Sequence, residues 1–153
     1  MHRREELHAL CDCVSRAAAS VLQFLKIGES AIEITGCWMN LYASGAAHRA
    51  HSHPNNFLSA MYYVRIRLGA DSINFHDPRS QAGVIRPPVT ELTDGNTDQA
   101  VVRVKDGTLL VFPSYLYHSV DANASGETRV SLSFNRMFST FTAALSKPLW
   151  GDE

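Results

Sequence analysis

Arg129-Val130-Ser131-Leu132-Ser133-Phe134-Asn135 alternates polar and apolar side chains without a break. Side chains of an extended strand repeat every two residues. Val130, Leu132 and Phe134 therefore fall on one face, and Arg129, Ser131, Ser133 and Asn135 on the other. The pattern runs from Thr128 to Met137 and predicts a strand with one apolar side. Working back from it, Tyr117 to Val120 is a short strand, and Thr108 to Phe112 another, closed by Pro113. Asp106-Gly107 is a tight-turn signal before it. Ala100 to Val104 and Ser72 to His76 are short strands, the latter ended by Asp77-Pro78. Phe57 to Leu68 (FLSAMYYVRIRL) is a long one, rich in aromatic and β-branched residues. Ile32 and Ile34 alternate with polar neighbours, and Trp38 to Tyr42 continues in extended style up to a break at Gly45-Ala-Ala.

Residues 4–26 read as a helix. Leu7, Leu10, Cys11, Val14, Ala18, Val21, Leu22 and Leu25 keep the three-and-four spacing of one apolar face, with Gly28 as the stop. Seven or eight short strands after one helix predict a mainly β domain, a β-sandwich or a rolled barrel. No linker or repeat divides the 153 residues, so 1–153 reads as a single domain in which residues 1–28 form a helix packed on the sheet. Residues 77–99 hold Pro78, Gly83, Pro87, Pro88 and Gly95. A stretch of that length and composition is a lid or binding loop, or a surface excursion.

Composition narrows the class. At 45 % hydrophobic, 19 % charged and net charge −1, the chain lacks the basic excess expected of a nucleic-acid binder. No apolar run reaches the roughly 18 residues of a membrane span. The start, Met-His-Arg-Arg-Glu-Glu, lacks the apolar stretch of a signal peptide, and the cytosol is the expected location. Cys11, Cys13 and Cys37 form no disulfide framework. They read as reduced thiols, with metal binding by the Cys11/Cys13 pair as the alternative.

The segment His48-Arg-Ala-His51-Ser-His53-Pro54 holds three of the seven histidines. Imidazole is the commonest protein metal ligand. On an extended strand His51 and His53 would point the same way, which makes them a better pair than either with His48. His118, placed by a strand and a break at a sheet end, would complete a triad as the third ligand. Alone, it could equally be a packed histidine beside Tyr115 and Tyr117. Arg129 and Ser131 share the polar face of the last long strand. If that face points into a closed barrel, the Arg129 guanidinium can hold a carboxylate by two parallel hydrogen bonds. If it points to solvent, Arg129 is an ordinary surface charge.

Several blocks resemble the 2-oxoglutarate and Fe(II)-dependent oxygenases, which share the double-stranded β-helix (jelly roll). They are His51-Ser-His53-Pro54-Asn55 followed by Phe57-Leu58-Ser59-Ala60-Met61-Tyr62-Tyr63-Val64, then Phe75-His76-Asp77-Pro78-Arg79, Leu110 to Val120, and Arg129 to Asn135. The stretch most resembles a bacterial group of such oxygenases with an H-x-H-P-N motif, and the likeness runs from about Trp38 to Asn135. The resemblance implies a jelly roll (cupin-like) with an N-terminal α-helix, acting as an Fe(II)/2-oxoglutarate-dependent dioxygenase; a small-molecule substrate is expected by elimination, since neither a basic groove nor a peptide-binding signature is present. It implies iron ligation by His51 and His118, and a hold on the far carboxylate of 2-oxoglutarate by Arg129 and Ser131. Tyr62, Asn40 and Asn135 are further co-substrate candidates. The superfamily's usual pattern is H-x-D/E with a distal His, two histidines and a carboxylate. Here His53 stands where the carboxylate would be. His53 is then the third ligand, or a carboxylate such as Asp77 replaces it, or only two protein ligands bind.

The cupins offer a second likeness. Their G-x5-H-x-H and G-x5-P-x-G-x2-H elements fit Gly45 before His51, and Gly107, Pro113 and His118. Phe57 and Leu58 occupy the place of the expected Glu, however, and Tyr115 that of a Gly. A three-histidine cupin dioxygenase or isomerase is therefore the alternative, with a non-catalytic metal-binding jelly roll beside it. An edge strand of such a sheet could also pair in a homodimer.

Overall fold

A computed structural model describes residues 1–28, 31–79, 87–93 and 95–144. Helix α1 (His8–Phe24) follows a short 3-10 turn at Glu5–Leu7. The strands are β1 (Ile32–Tyr42), β2 (His48–His51), β3 (Leu58–Arg65), β4 (Ser72–His76), β5 (Gln99–Arg103), β6 (Leu109–Pro113), β7 (His118–Val120) and β8 (Arg129–Phe138). A single-turn α2 (Ser139–Thr142) comes last. The strands form two four-stranded sheets, ordered β1-β8-β3-β6 and β2-β7-β4-β5. Every pairing is antiparallel. The expected jelly roll with an N-terminal helix is the fold found.

Alternation along β3 and β8 decides what lies on each side of the larger sheet. Ala60, Leu132 and Phe134 meet Val14 of α1, and Leu58 meets Ala18 and Leu22. Val14, Ala18 and Leu22 recur every four residues, so they form one stripe along the helix. The outer face of the sheet is thus largely apolar and covered, with Arg136 buried on it and donating to Ser15 of α1 at 2.8 Å. Arg129, Ser131, Ser133 and Asn135 point the other way, into the roll. Arg129, Ser131 and Ser133 are buried there, so the polar face of β8 is internal.

The second sheet closes over this interior. Met61 and Tyr63 of β3 pack with Ile73, Val104 and the flanking Phe75, Val102 and Leu110. The rings of Phe75 and Phe112 meet edge-on at 4.9 Å. In β1 a bulge between Ile34 and Gly36 reverses the alternation. Ile34 and Cys37 consequently both reach the helix side, while Trp38 and Asn40 line the roll in register with Ser133 and Ser131.

Two sequence expectations shift. Helix α1 stops before Gly28, because Lys26 takes the left-handed conformation at φ 59°. Ile27 N–H then reaches Leu22 O and Lys26 N–H reaches Gln23 O, the Schellman arrangement that satisfies the last carbonyls. Strand β3 ends at Arg65 instead of Leu68, as Ile66 N–H turns to the Asp106 carboxylate. Gly107, at φ 81°, makes the turn that Asp106-Gly107 signalled. The loop read at 77–99 lies in part outside the described residues. Cys11 and Cys37 pack between helix and sheet, where burial raises both thiols, while Cys13 is exposed.

Candidate metal centre

Strand β7 is the second strand of the smaller sheet, and it sets His118 directly opposite His51 of β2 and Phe75 of β4. His53 is not on the strand, contrary to the simple H-x-H reading, since β2 ends at His51. Its backbone N–H instead bonds Ser114 O, 2.9 Å away, in the connection between β6 and β7. That anchor returns the imidazole to the same place. One ring nitrogen from each of His51, His53 and His118 lies within 4.8 Å of the other two. The centroids of the His51 and His118 rings are 4.3 Å apart, those of His51 and His53 5.0 Å, and those of His53 and His118 5.2 Å.

Backbone carbonyls select which nitrogen is offered. His51 Nδ1 lies 2.9 Å from Arg49 O, and His118 Nδ1 lies 3.0 Å from Leu116 O. A carbonyl can only accept, so each Nδ1 must carry the proton and each Nε2 holds a free lone pair. His118 is fully buried, and its Nε2 has no partner within the described residues. An unpaired buried acceptor is costly unless something binds it, and a metal ion satisfies it. Burial, reinforced by the neighbouring imidazoles, pushes His53 down to about 4, so it is neutral at ordinary pH. Burial also lowers His118. The triad is suited to a divalent metal through three neutral nitrogens.

His48 stays outside the triad. It stacks on His51 at 4.1 Å and meets the Tyr42 hydroxyl through Nδ1. Asp77 is not among the converging groups either. Its carboxylate is held by Arg79 and drawn down to about 2 by those hydrogen bonds.

A second polar centre lies across the roll. Arg129 is 2 % exposed. Its Nη1 donates to Ser72 O at 2.8 Å, which ties the two sheets together. Its Nε and Nη2 have no partner among the described residues; it forms no ion pair there, and the Asp71 carboxylate acts on it only from beyond contact distance. The guanidinium carbon sits 5.2 Å from the Tyr63 ring centroid and 5.9 Å from that of Tyr42. The Tyr63 hydroxyl is buried and approaches the guanidinium without a well-formed hydrogen bond. Burial lifts it to about 12, with Arg129 pulling the other way, so it remains a protonated donor. A buried cation without an ion-pair partner, with a spare hydroxyl beside it, is suited to receive an anion.

Tyr62 does not take part in this arrangement. It falls on the helix face of β3, packed with Leu132 and Phe134, because adjacent strand residues point oppositely. Tyr63, its neighbour, is the inward one. The sequence did not separate them, since β3 is apolar on both faces. Ser131 is fully buried and accepts from Asn40 Nδ2 at 3.4 Å; the same nitrogen reaches Ser133 at 2.8 Å. Asn40 Oδ1 accepts from the Trp38 indole, whose ring lies 5.7 Å from that of His53. Asn135 Oδ1 accepts from Ser59, which also bonds Ser114. A ladder of small polar groups therefore lines the roll between the triad and Arg129.

Residues 36–135 match a family model described as "Putative 2OG-Fe(II) oxygenase". The chain belongs to the 2OG-Fe(II) oxygenase family. Solved structures with the same fold include a prolyl-4-hydroxylase from Pseudomonas putida, 22 % identical with a TM-score of 0.57, covering 88 % of this chain and 68 % of that one. Another is the epimerase SnoN in complex with Fe3+, alpha ketoglutarate and nogalamycin RO. It is 16 % identical with a TM-score of 0.59, covering 89 % and 63 %. A third is an oxidoreductase of the 2OG-Fe(II) oxygenase family from Burkholderia pseudomallei, 16 % identical with a TM-score of 0.53, covering 72 % and 47 %. The chain thus spans about half to two thirds of the length of these oxygenase-fold structures. No curated protein matches its sequence. No helix among the described residues is long and apolar enough to cross a membrane.

Proposed function

We propose that this family member is an Fe(II)- and 2-oxoglutarate-dependent dioxygenase that oxidises a small molecule. Arg129 carries the proposal: a buried guanidinium with two nitrogens unpaired, in the same roll as three converging imidazoles. A metal-binding jelly roll or a three-histidine cupin enzyme requires the triad and has no use for that cation.

His51, His53 and His118 would hold the iron. Arg129 Nε and Nη2, with the Tyr63 hydroxyl, would hold the far carboxylate of 2-oxoglutarate. Ser131 and Asn40 would line the path between the two centres. Iron held there would supply, with a 2-oxo acid, the chemistry of dioxygen reduction. In balance, 2-oxoglutarate, dioxygen and R–H give succinate, carbon dioxide and R–OH. The protein's own contribution is to orient the co-substrate and to exclude bulk water, through Phe75 and Phe112 against His118. Three neutral imidazoles would leave the charge of a divalent metal uncompensated, which would favour a dianionic co-substrate.

The test is succinate formation. Succinate should appear only when Fe(II), 2-oxoglutarate and dioxygen are all present, and omitting any one should abolish it. Metal binding without any 2-oxoglutarate binding would overturn the proposal in favour of the cupin alternative. The two tyrosines offer a finer check. Tyr63→Phe should weaken 2-oxoglutarate binding about tenfold, the value of one hydrogen bond to a charged group. Tyr62→Phe, on the helix face, should leave it within about twofold. Calorimetric titration of the two variants reads the difference.

A further inference from the structure

A cavity of about 440 Å³ opens beside the triad, between the end of β4 and the start of β5. Phe75, Pro78, Ala100 and Leu116 give it apolar walls, while His76, Asp77, Arg79, Thr97, Asp98 and Gln99 supply polar groups, two carboxylates among them. Its size is that of a small-molecule site. It shares two walls with the metal centre. The Phe75 ring lies 6.1 Å from that of His118, and Leu116 O accepts from His118 Nδ1. Phe75 and Leu116 thus stand between the cavity and His118.

The polar groups are arranged unequally. Asp77 uses both carboxylate oxygens on Arg79, taking Arg79 N–H at 2.8 Å, Nε at 3.0 and 3.1 Å, and Nη2 at 2.5 Å. The carboxylate is saturated. The guanidinium is not: Nη1 has no partner within the described residues, and the side chain is 68 % exposed. An exposed pair of this kind contributes little to folding. Its structural effect is to fix the direction of an otherwise flexible cation, and pre-orientation of that sort favours binding.

We propose that this cavity is the substrate site, and that Arg79, braced by Asp77, selects a small molecule with an apolar body and a carboxylate end. The proposal rests on the oxygenase reading for what happens next at the metal, but the binding itself does not need turnover. Phe75, Pro78, Ala100 and Leu116 enclose the apolar body, and Arg79 Nη1 and Nη2 meet the carboxylate at the rim. Asp77 is a positioning residue.

The experiment uses octanoate, octylamine and octanol as probes on the full chain loaded with Ni(II) and saturating 2-oxoglutarate. Binding is followed by amide NMR shifts at Thr97, Gln99 and Ala100. Octanoate should bind most tightly, and Arg79→Gln should weaken it about tenfold, the loss of one charge-assisted contact. Asp77→Asn should weaken it less, and octanol should be indifferent to both substitutions. Preference for octylamine, lost in Asp77→Asn, would overturn the proposal in favour of a cationic substrate. So would binding of none of the three probes, or octanoate binding that survives Arg79→Gln and vanishes in Arg129→Met. Metal and 2-oxoglutarate binding are read separately by calorimetry on the unloaded chain, so a failure of the oxygenase reading is distinguishable from a failure at Arg79.

Discussion

Arg129→Met should weaken 2-oxoglutarate binding roughly 30-fold or more, since truncating one partner of a buried charge pair costs about 2–5 kcal/mol. The same substitution should leave metal affinity unchanged, because Arg129 touches none of the three histidines. Its effect on the free chain decides the interpretation. Methionine keeps the bulk of the side chain and loses one hydrogen bond, to Ser72 O. It also removes a buried cation with two unpaired nitrogens, and replacing such a charge by an apolar residue is often neutral or stabilising. Thermal unfolding of the unliganded variant should therefore match or exceed that of the wild type. A large fall in both affinity and unfolding temperature would mean that Arg129 serves as a sheet-to-sheet tie and not as an anion receptor. Unchanged affinity would remove the basis for the co-substrate assignment altogether.

His118→Ala should lower divalent-metal affinity by more than the 10–100-fold typical of losing an outer-shell partner, because it removes a ligand itself. Competition of Co(II) or Zn(II) against a coloured chelator measures this. His76→Ala is the matched control. His76 is one strand position from Phe75 and bonds Ser119 at 2.9 Å, outside the converging nitrogens. It should bind metal as the wild type does. His53→Asp is the informative third arm. It restores the two-histidine, one-carboxylate set and should retain metal, if the Ser114 anchor and not the imidazole itself places residue 53. Undiminished metal affinity in His118→Ala would show that the triad is a packing arrangement only.

Much of the fold was legible because its decisive strand is amphipathic. The alternation in β8 gave both the strand and its two faces. It could not say which face was inside, because period-two patterning is symmetric under exchange of faces. The usual presumption puts the apolar side inward. Here α1 covers that side, and the polar side becomes the lining. Strand β3 was legible as a strand but not in its facing, since Leu58, Ala60 and Tyr62 are as apolar as Met61 and Tyr63. That is why Tyr62 stood out where Tyr63 is the inward residue. His51 and His118 carried a positional signal through the H-x-H pair and the strand end. Tyr42, opposite Arg129 in the β1–β8 register, carried none, because register between strands far apart in the chain leaves no local trace. The Trp38 contact with His53 was equally illegible, since nothing local in the chain links the two.

The reversed polarity of the large sheet separates two tasks that most small domains load onto one set of side chains. Along β8, cohesion comes from the outside, where Val14, Ala18 and Leu22 grip Leu58, Ala60, Leu132 and Phe134, while Met61 and Tyr63 of β3 hold the second sheet from within. The lumen near the histidines is furnished with serines and asparagines whose exchange leaves that grip untouched. Such a scaffold can be re-tailored from within: its chemical appetite can drift, one small polar side chain at a time, while the outer grip on the sheet stays as it is.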